Sequence, residues 1–97
     1  MKQRWVDLGR LRLTAHQLDV CREVLPLLPG DRSLTARQMW IGSRGRSPRR
    51  DSYVWERWRR ALDRLAFWGV LLRAGGVVAV RFRRGPLADY LEESGEV

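Results

Sequence analysis

The sequence predicts a mainly α fold with a small β-hairpin, an α+β domain of 97 residues. Three observations lead to this fold class. Two capping-box patterns open helical segments, a longer amphipathic segment ends at Gly69, and the pattern then changes from helical to alternating. A chain of this length forms one domain. We divide it into an N-terminal arm or strand over residues 1–13, a core over 14–84, and an acidic C-terminal helix and tail over 85–97.

The first two helices are predicted from their N-caps. Thr14 with Gln17, and Thr35 with Gln38, have the spacing at which the threonine caps the helix and the glutamine reaches back to it. Pro26 kinks or ends the first helix. Its apolar face holds Leu18, Cys21, Val24, Leu25 and Leu28, and the second helix buries Ala36, Met39 and Trp40 before Gly42.

The third helix is the longest one predicted. It follows a basic loop, GSRGRSPRR over residues 42–50, begins between residues 48 and 53, and ends at Gly69. The candidate N-terminal signals are Ser47 with Pro48, or Asp51 or Ser52. At 100° per residue the core-facing side holds Val54, Trp58, Ala61, Leu62 and Leu65. The opposite side holds Tyr53, Glu56, Arg60, Asp63, Arg64 and Phe67, with Arg57 and Arg59 on the flanks and Trp55 at the edge of the apolar stripe.

A β-hairpin is predicted after Gly69, in VLLRAGGVVAVRFRRG. With a three-residue loop at 74–76, Val70 pairs with Val80 and Leu72 with Val78 on the core side. Arg73, Arg81 and Arg83 then project from the other side. Residues 86–94 predict a short terminal helix with Leu87, Tyr90 and Leu91 on one face.

The charge is positive and unevenly distributed. The chain carries 19 Lys and Arg against 11 Asp and Glu, a net charge of +8. Residues 44–84 hold twelve arginines against three acids, a local net charge of +9 (twelve minus three), and no basic residue follows Arg84. Such a field indicates a polyanionic partner, and nucleic acid fits better than a membrane because no long apolar run or lipidation signal occurs.

No pattern of catalytic residues stands out. Cys21 lies among apolar residues at helical spacing and is interpreted as a core residue in a reducing compartment. His16, the one histidine, is interpreted as a surface residue in the first turn of a helix. We therefore expect no enzyme activity, no cofactor, no metal site and no small-molecule ligand. No signal peptide is evident, so we expect a cytoplasmic protein.

The order of elements, with LTARQMW as the second helix and WRRALDRLAFWGVLLR running into a Gly-Gly hairpin, resembles the winged helix-turn-helix superfamily of DNA-binding domains. The resemblance covers residues 14–84 and includes Leu65, Gly69, Val70 and Leu71 at the junction of helix and wing. It implies a three-helix core with a C-terminal wing. The connection between the second and third helices is longer than is usual in this superfamily, and the wing tip is short.

The resemblance implies that the third helix, about 48–68, enters the major groove of DNA. Tyr53, Glu56, Arg57 and Arg60 would then face base edges, with Arg59 and Arg64 nearer the phosphates. Arginine suits guanine, and Glu56 can accept from cytosine. Arg73, Arg81 and Arg83 of the wing would hold the backbone or an adjacent minor groove. The alternative for each arginine is a solvated or paired surface residue, as Glu56 with Arg60 would be at this spacing.

The basic loop carries two short resemblances to minor-groove binders. Residues 44–48 are similar to the Arg-Gly-Arg-Pro core of the AT-hook with an inserted serine, and residues 47–50 match a Ser-Pro-basic-basic element. The alternative is a flexible loop that contacts phosphates without sequence preference, and we favour it. In either case the DNA-binding candidates here are Arg44, Arg46, Arg49 and Arg50.

The function expected is sequence-specific binding of double-stranded DNA by a small prokaryotic, phage or plasmid regulator or DNA-site factor. A homodimer would use Phe67 with Tyr90 and Leu91, although the last helix can instead fold back over Phe67 within one chain. A second hypothesis is an adaptor or inhibitor that binds a protein of the transcription or replication machinery through Tyr53, Trp55 and Phe67. A third is binding of RNA or single-stranded DNA.

Overall fold

The computed structural model describes residues 5–7, 9, 11–50, 52–76 and 78–95, and for 5–7 the backbone alone. This part of the chain contains four α-helices and five short strands, so the prediction of an α+β fold is confirmed. The helices are α1 (Ala15–Val24), α2 (Ala36–Arg44), α3 (Tyr53–Trp68) and α4 (Ala88–Glu93). The strands are β1 (Trp5–Asp7), β2 (Arg12–Thr14), β3 (Ser33–Thr35), β4 (Leu71–Ala74) and β5 (Arg81–Arg84).

Both capping boxes form as predicted. The Thr14 hydroxyl accepts from the Gln17 N–H at 3.1 Å, and the Gln17 amide oxygen accepts from the Thr14 N–H at 3.0 Å. Thr35 and Gln38 make the same pair of bonds at the start of α2. A cap of this kind stabilises a helix by about 1 kcal/mol. Pro26 ends α1, because the chain tightens after Val24 into a 3-10 turn over Leu25–Leu27.

The basic loop is shorter than predicted because α2 extends to Arg44. Gly45 then ends α2 in the left-handed region, at φ +72°, where glycine meets no Cβ penalty. The N-cap of α3 is Ser52, whose hydroxyl accepts from the Trp55 N–H at 3.3 Å, and not Ser47. The other candidate start, Asp51, lies outside the described residues. The predicted end of α3 is confirmed, since Gly69 caps it at φ +84°.

The buried face of α3 packs against α1 and β4. Trp58, Ala61, Leu62 and Leu65 are buried as predicted, and each large one stabilises the fold by about 1.5–3 kcal/mol. Val54 was expected on this face but is 61% exposed. It belongs to the first turn of α3, and Trp58 is the first residue along the helix to be fully buried.

Strands β4 and β5 form the hairpin over residues 71–84, called the wing below for its place in the sequence, and belong to a three-stranded antiparallel sheet in the order β3-β5-β4. The predicted hairpin exists, but its predicted register is wrong: Leu71 pairs with Arg84 and Ala74 with Arg81. The tip therefore spans residues 75–80, and Val78 and Val80 are 98% and 52% exposed instead of facing the core. The pairing of β5 with β3, which places Leu34 opposite Phe82, sets where β5 begins.

The two chain ends both contribute to the core. β1 and β2 form an antiparallel hairpin, and Leu11 and Leu13 are buried. Helix α4 buries Ala88 and Leu91. None of the described helices is long and apolar enough to cross a membrane.

Two of the three acidic residues of α4 pair with Arg84. Its guanidinium bonds to Asp89, Glu92 and the Leu25 carbonyl, and the bond with Glu92 raises the arginine pKa. The interpretation of Cys21 as a core residue is confirmed, since it is fully buried and burial raises its thiol pKa to about 12.

Candidate nucleic-acid interface

The exposed side of α3 carries a stripe of four residues, Tyr53, Arg57, Arg60 and Arg64, which we call the α3 stripe. Their spacing of four, three and four residues places them within one narrow strip along the helix. All four are exposed, Tyr53 by 74%. At 1.5 Å per residue the strip is about 16 Å long. The fold thus brings these four predicted site residues together.

The arginines of the stripe lack acidic partners among the described residues. Arg57 and Arg60 make no side-chain hydrogen bond or ion pair there, and Arg64 lies over the Phe67 ring at 5.0 Å from its centroid. Guanidinium groups that are not neutralised within the chain keep their hydrogen-bond donors available for an external anion. The stripe is therefore a continuous, unneutralised cationic surface.

The remaining predicted residues of α3 pair with each other. Arg59 donates to Glu56 at 3.3 Å, one turn apart, whereas the sequence had suggested Arg60 as the partner of Glu56. Both side chains are about half exposed, by 52% and 48%, so water screens the pair strongly. Such a pair opens easily when a stronger partner approaches either group.

Arg44 belongs to a partly buried cluster of side chains that joins α1, α2 and α3. Its guanidinium lies 3.7 Å from the centroid of the Trp40 ring and donates to Glu23 at 3.1 Å. The same carboxylate accepts from the Trp58 indole N–H at 2.8 Å, and the rings of Trp40, Trp55 and Trp58 contact one another edge-on or stacked. This cluster holds α1, α2 and α3 together, so the structure gives Arg44 an internal role that its position beside the basic loop did not suggest.

The loop arginines Arg46, Arg49 and Arg50 are exposed. The Arg49 carbonyl accepts from the Ser52 N–H at 3.2 Å, in the turn that leads into α3. Arg49 and Arg50 therefore lie beside the N-terminus of α3, next to Tyr53. The loop arginines therefore lead directly into the α3 stripe along the chain from residue 46 to 64.

The wing arginines do not share one face, which corrects the predicted arrangement. Arg73 lies opposite Phe82 and bonds to Asp63 of α3 at 3.0 Å. Arg81 donates to the Ser33 hydroxyl and carbonyl at 3.0 and 2.7 Å, and Arg83 lies 3.9 Å from Asp31. Because side chains alternate along a strand, Arg73 faces the helices while Arg81 and Arg83 face away. All three have partners within the chain.

Sequence reasoning overlooked Arg37. This exposed residue lies in the first turn of α2, and its guanidinium donates to the Ser47 hydroxyl of the basic loop at 3.4 Å. The sequence did contain a signal for Arg37. It directly follows the capping Thr35, and a residue in the first turn of a helix projects near the end of that helix. Arg37 adds a further cation beside the loop.

His16 is half-buried at the contact between α1 and α3, not a surface residue as expected. Burial and the nearby positive charge of Arg57 lower its pKa below the ordinary value of 6.5. Its Nε2 atom is buried and has no hydrogen-bond partner in the structure. Among the described residues, no group of three or more His, Cys, Asp or Glu has an arrangement that would hold a metal ion.

No family model, curated protein or solved structure is significantly similar to this chain. The arginines of the loop and of the α3 stripe are therefore the features of the chain that bear on its function.

Proposed function

We propose that this chain is a winged-helix protein that binds double-stranded DNA in a sequence-specific manner, with α3 in the major groove. The observation that carries the proposal is the α3 stripe: three exposed arginines and a tyrosine in one line, without acidic partners among the described residues. A helix with side chains fits the major groove, and the strip of about 16 Å spans roughly half a turn of B-DNA. The protein would act as a small regulator or DNA-site factor.

Within this proposal the side chains have different tasks. Arg57 and Arg60 would each bond guanine O6 and N7 through two donors, and Arg64 would sit nearer the backbone. Arg46, Arg49 and Arg50 would neutralise phosphates beside the start of α3. Glu56 would accept from a cytosine amine after leaving Arg59, which would then turn to a phosphate.

The order of elements supports the winged-helix part of the proposal. Three helices precede an antiparallel pair of strands, and β3, between α1 and α2, joins that pair in one sheet. The α2–α3 connection runs from Gly45 to Ser52, longer than a tight turn, and the wing tip spans six residues instead of three. In this version of the fold the loop, more than the wing, would supply the backbone contacts.

A second candidate function is docking on a protein. Tyr53 and Phe67 are 74% and 71% exposed and flank arginines, a combination that protein hot spots share. Trp55, the third aromatic of that hypothesis, is half-buried in the tryptophan cluster. Two exposed aromatics remain for such an interface, so the DNA proposal is preferred.

Fluorescence anisotropy with a labelled duplex of mixed sequence tests the proposal. With six arginines on phosphates or bases, the affinity should fall about 10³-fold between about 50 and 200 mM salt, a log–log slope of about −5. Combined substitution Arg57→Ala, Arg60→Ala and Arg64→Ala should weaken binding at least tenfold. Arg22→Ala is the matched control, because Arg22 is an exposed arginine on α1 that pairs with Asp19.

The alternatives predict different results. Duplex affinity that is unchanged in the triple variant would reject the α3 stripe as the interface. Tighter binding to a single strand or to RNA of the same sequence would favour the third hypothesis, and absence of salt-dependent binding to any nucleic acid would leave the protein-docking function.

A further inference from the structure

A groove lies between the start of α2, the middle of α3 and the wing, and we call it the wing groove. Its volume is about 490 Å³, within the range of sites that enclose a small molecule. It was not predictable from the sequence, because its walls come from three segments that are far apart along the chain. It is lined by Thr35, Ala36, Arg37, Arg59, Leu62, Asp63, Arg73, Ala79, Val80 and Phe82.

The interior of the wing groove is apolar. Leu62 and Phe82, which are 0% and 4% exposed, belong to the hydrophobic core. Ala36, Ala79 and Val80 complete the apolar lining, and Val80 is 52% exposed. Contact of an apolar group with this exposed valine would be favourable, because it would remove apolar surface from water.

The polar lining is predominantly cationic. Arg37, Arg59 and Arg73 line the wing groove together with one acid, Asp63, so these groups carry a net charge of +2. Arg59 pairs with Glu56 and Arg73 with Asp63, in bonds that are about half exposed. Within the described part of the chain, the Arg37 guanidinium has one polar contact, a long one of 3.4 Å to the neutral Ser47 hydroxyl. Arg37 can therefore receive an anion without breaking an ion pair.

We infer that the wing groove binds a small amphipathic carboxylate, with its carboxylate on Arg37 and its apolar body against Ala36, Ala79 and Val80, above the buried Leu62 and Phe82. An inorganic anion would leave the apolar lining uncovered, and an amine of the same shape would meet net positive charge. A ligand of about ten to twenty heavy atoms suits a site of this size. Because it would contact both α3 and the wing, it would fix the wing against the helix.

The wing groove is separate from the α3 stripe. At 100° per residue, Arg59, Leu62 and Asp63 lie roughly 90° to 170° around α3 from the centre of the stripe. The site does not depend on the proposed DNA binding, and it can be tested without DNA. Failure of one proposal leaves the other standing.

The test uses ¹⁵N-labelled protein and three probes of equal chain length: octanoate, octylammonium and octanol, with acetate as the control for charge alone. Octanoate should shift the amide resonances of Ala36, Leu62, Val80 and Phe82 in a saturable manner, and bind at least tenfold tighter than the other three. Arg37→Ala should weaken octanoate binding about tenfold, the loss of one charge-assisted hydrogen bond.

Arg49→Ala is the matched variant, since it removes the same charge from outside the groove and should leave octanoate affinity unchanged. Equal binding of octanol or octylammonium, equal weakening by Arg49→Ala, or shifts spread over the whole surface would each overturn the inference.

Discussion

Gly85 directly follows β5 and lies against the main chain of Gly69 and Val70, which directly follows α3. A Cβ atom there would lie 2.3 Å from the Gly69 carbonyl oxygen, which accepts from the Leu87 N–H at 3.0 Å. The Gly85 N–H itself donates to the Val70 carbonyl at 2.8 Å. These hydrogen bonds hold the main chain of residues 69, 70 and 85 in place, so no room is left for a side chain at position 85. The glycine is therefore required by this close contact and not by its backbone angles.

We therefore expect Gly85→Ala to lower the free energy of unfolding by about 3 kcal/mol, the upper end of the cost of overpacking. Denaturant unfolding followed by tryptophan fluorescence measures the change. Gly75→Ala is the control, because no atom of the described residues, other than those of Gly75 and its chain neighbours, lies within 4 Å of a Cβ at that position in the wing tip. Equal stabilities of the two variants would show that the main chain at residues 69 and 85 yields easily.

His16 makes stability depend on pH. Burial and then the charge of Arg57 lower its pKa below 6.5, so between the folded and unfolded pKa values the unfolded chain binds more protons. The free energy of unfolding should accordingly fall as the pH drops through 6.5 and stop falling below the folded pKa. Asp19 and Glu23, the nearby acids, act in the opposite direction but more weakly.

Parallel unfolding titrations of the wild type and His16→Gln measure this effect. The glutamine variant keeps a polar side chain but does not titrate, so the difference in stability between the two proteins should change over this pH range. A difference that is constant with pH would mean that His16 has the same pKa in the folded and unfolded chain.

At the scale of elements, the helices were predictable because their signals are local. Thr14, Thr35 and Gly69 act within a few residues of the helix ends that they define, and each prediction is confirmed. The hairpin register was not predictable in the same way. Val78 and Val80 alternate as core-facing strand residues do, but pairing with β3, which is distant in the sequence and places Thr35 opposite Arg81, sets the start of the strand.

For the candidate interface, too, the features set by nearby residues were predictable and those set by distant residues were not. The positions of Arg60 and Arg64 on one side of α3, with Arg57 on the flank, follow from helical periodicity alone. The partners of Arg44 and Arg81 do not, because Glu23 and Ser33 are 21 and 48 residues away in the sequence. Periodicity predicts which way a side chain points, but only the folded chain determines whether its charge is already neutralised.

This difference between paired and unpaired arginines predicts different roles for the loop and the wing. If the chain binds DNA as proposed, changing Arg46, Arg49 and Arg50 to alanine should weaken duplex affinity strongly and reduce the salt slope by about 3. Changing Arg73, Arg81 and Arg83 should reduce the slope by less, because these side chains have partners within the chain. Anisotropy titrations over a range of salt concentrations, on variants first shown to be folded, give both slopes.

Equal slopes for the two triple variants would mean that the wing arginines leave Asp63, Ser33 and Asp31 to bind DNA. A larger loss from the wing set would reverse the proposed roles. Either result would leave the α3 stripe to be judged separately by its own variants.

At the scale of the whole molecule, the charges are segregated. Two of the three acids of α4, Asp89 and Glu92, are paired with Arg84 and so are not available to the arginines of the loop and the α3 stripe. The chain has a net charge of +8, and the loop and the α3 stripe hold six exposed arginines without acidic partners among the described residues. A field of this kind attracts a polyanion from a distance and keeps two copies of the chain apart at low salt.

The contacts predicted for a homodimer are largely used within the chain. Leu91, one of its predicted contacts, is fully buried within the chain, and Tyr90 is half-buried. Phe67 remains 71% exposed, so α4 folds back but does not cover it. A single phenylalanine beside Arg64 provides far less than the roughly 1,000 Å² that a stable interface buries.

We therefore expect the free protein to sediment as a monomer of 11.4 kDa at both low and high salt. Sedimentation velocity of the wild type and Phe67→Glu, over a range of concentrations, measures this. If the wild type were a dimer that Phe67→Glu dissociates, the predicted Phe67 contact would be restored without Leu91. A dimer that appears only at high salt, and persists in Phe67→Glu, would instead point to the exposed valines of the wing tip, because screening removes the repulsion between the basic surfaces but leaves apolar contacts intact.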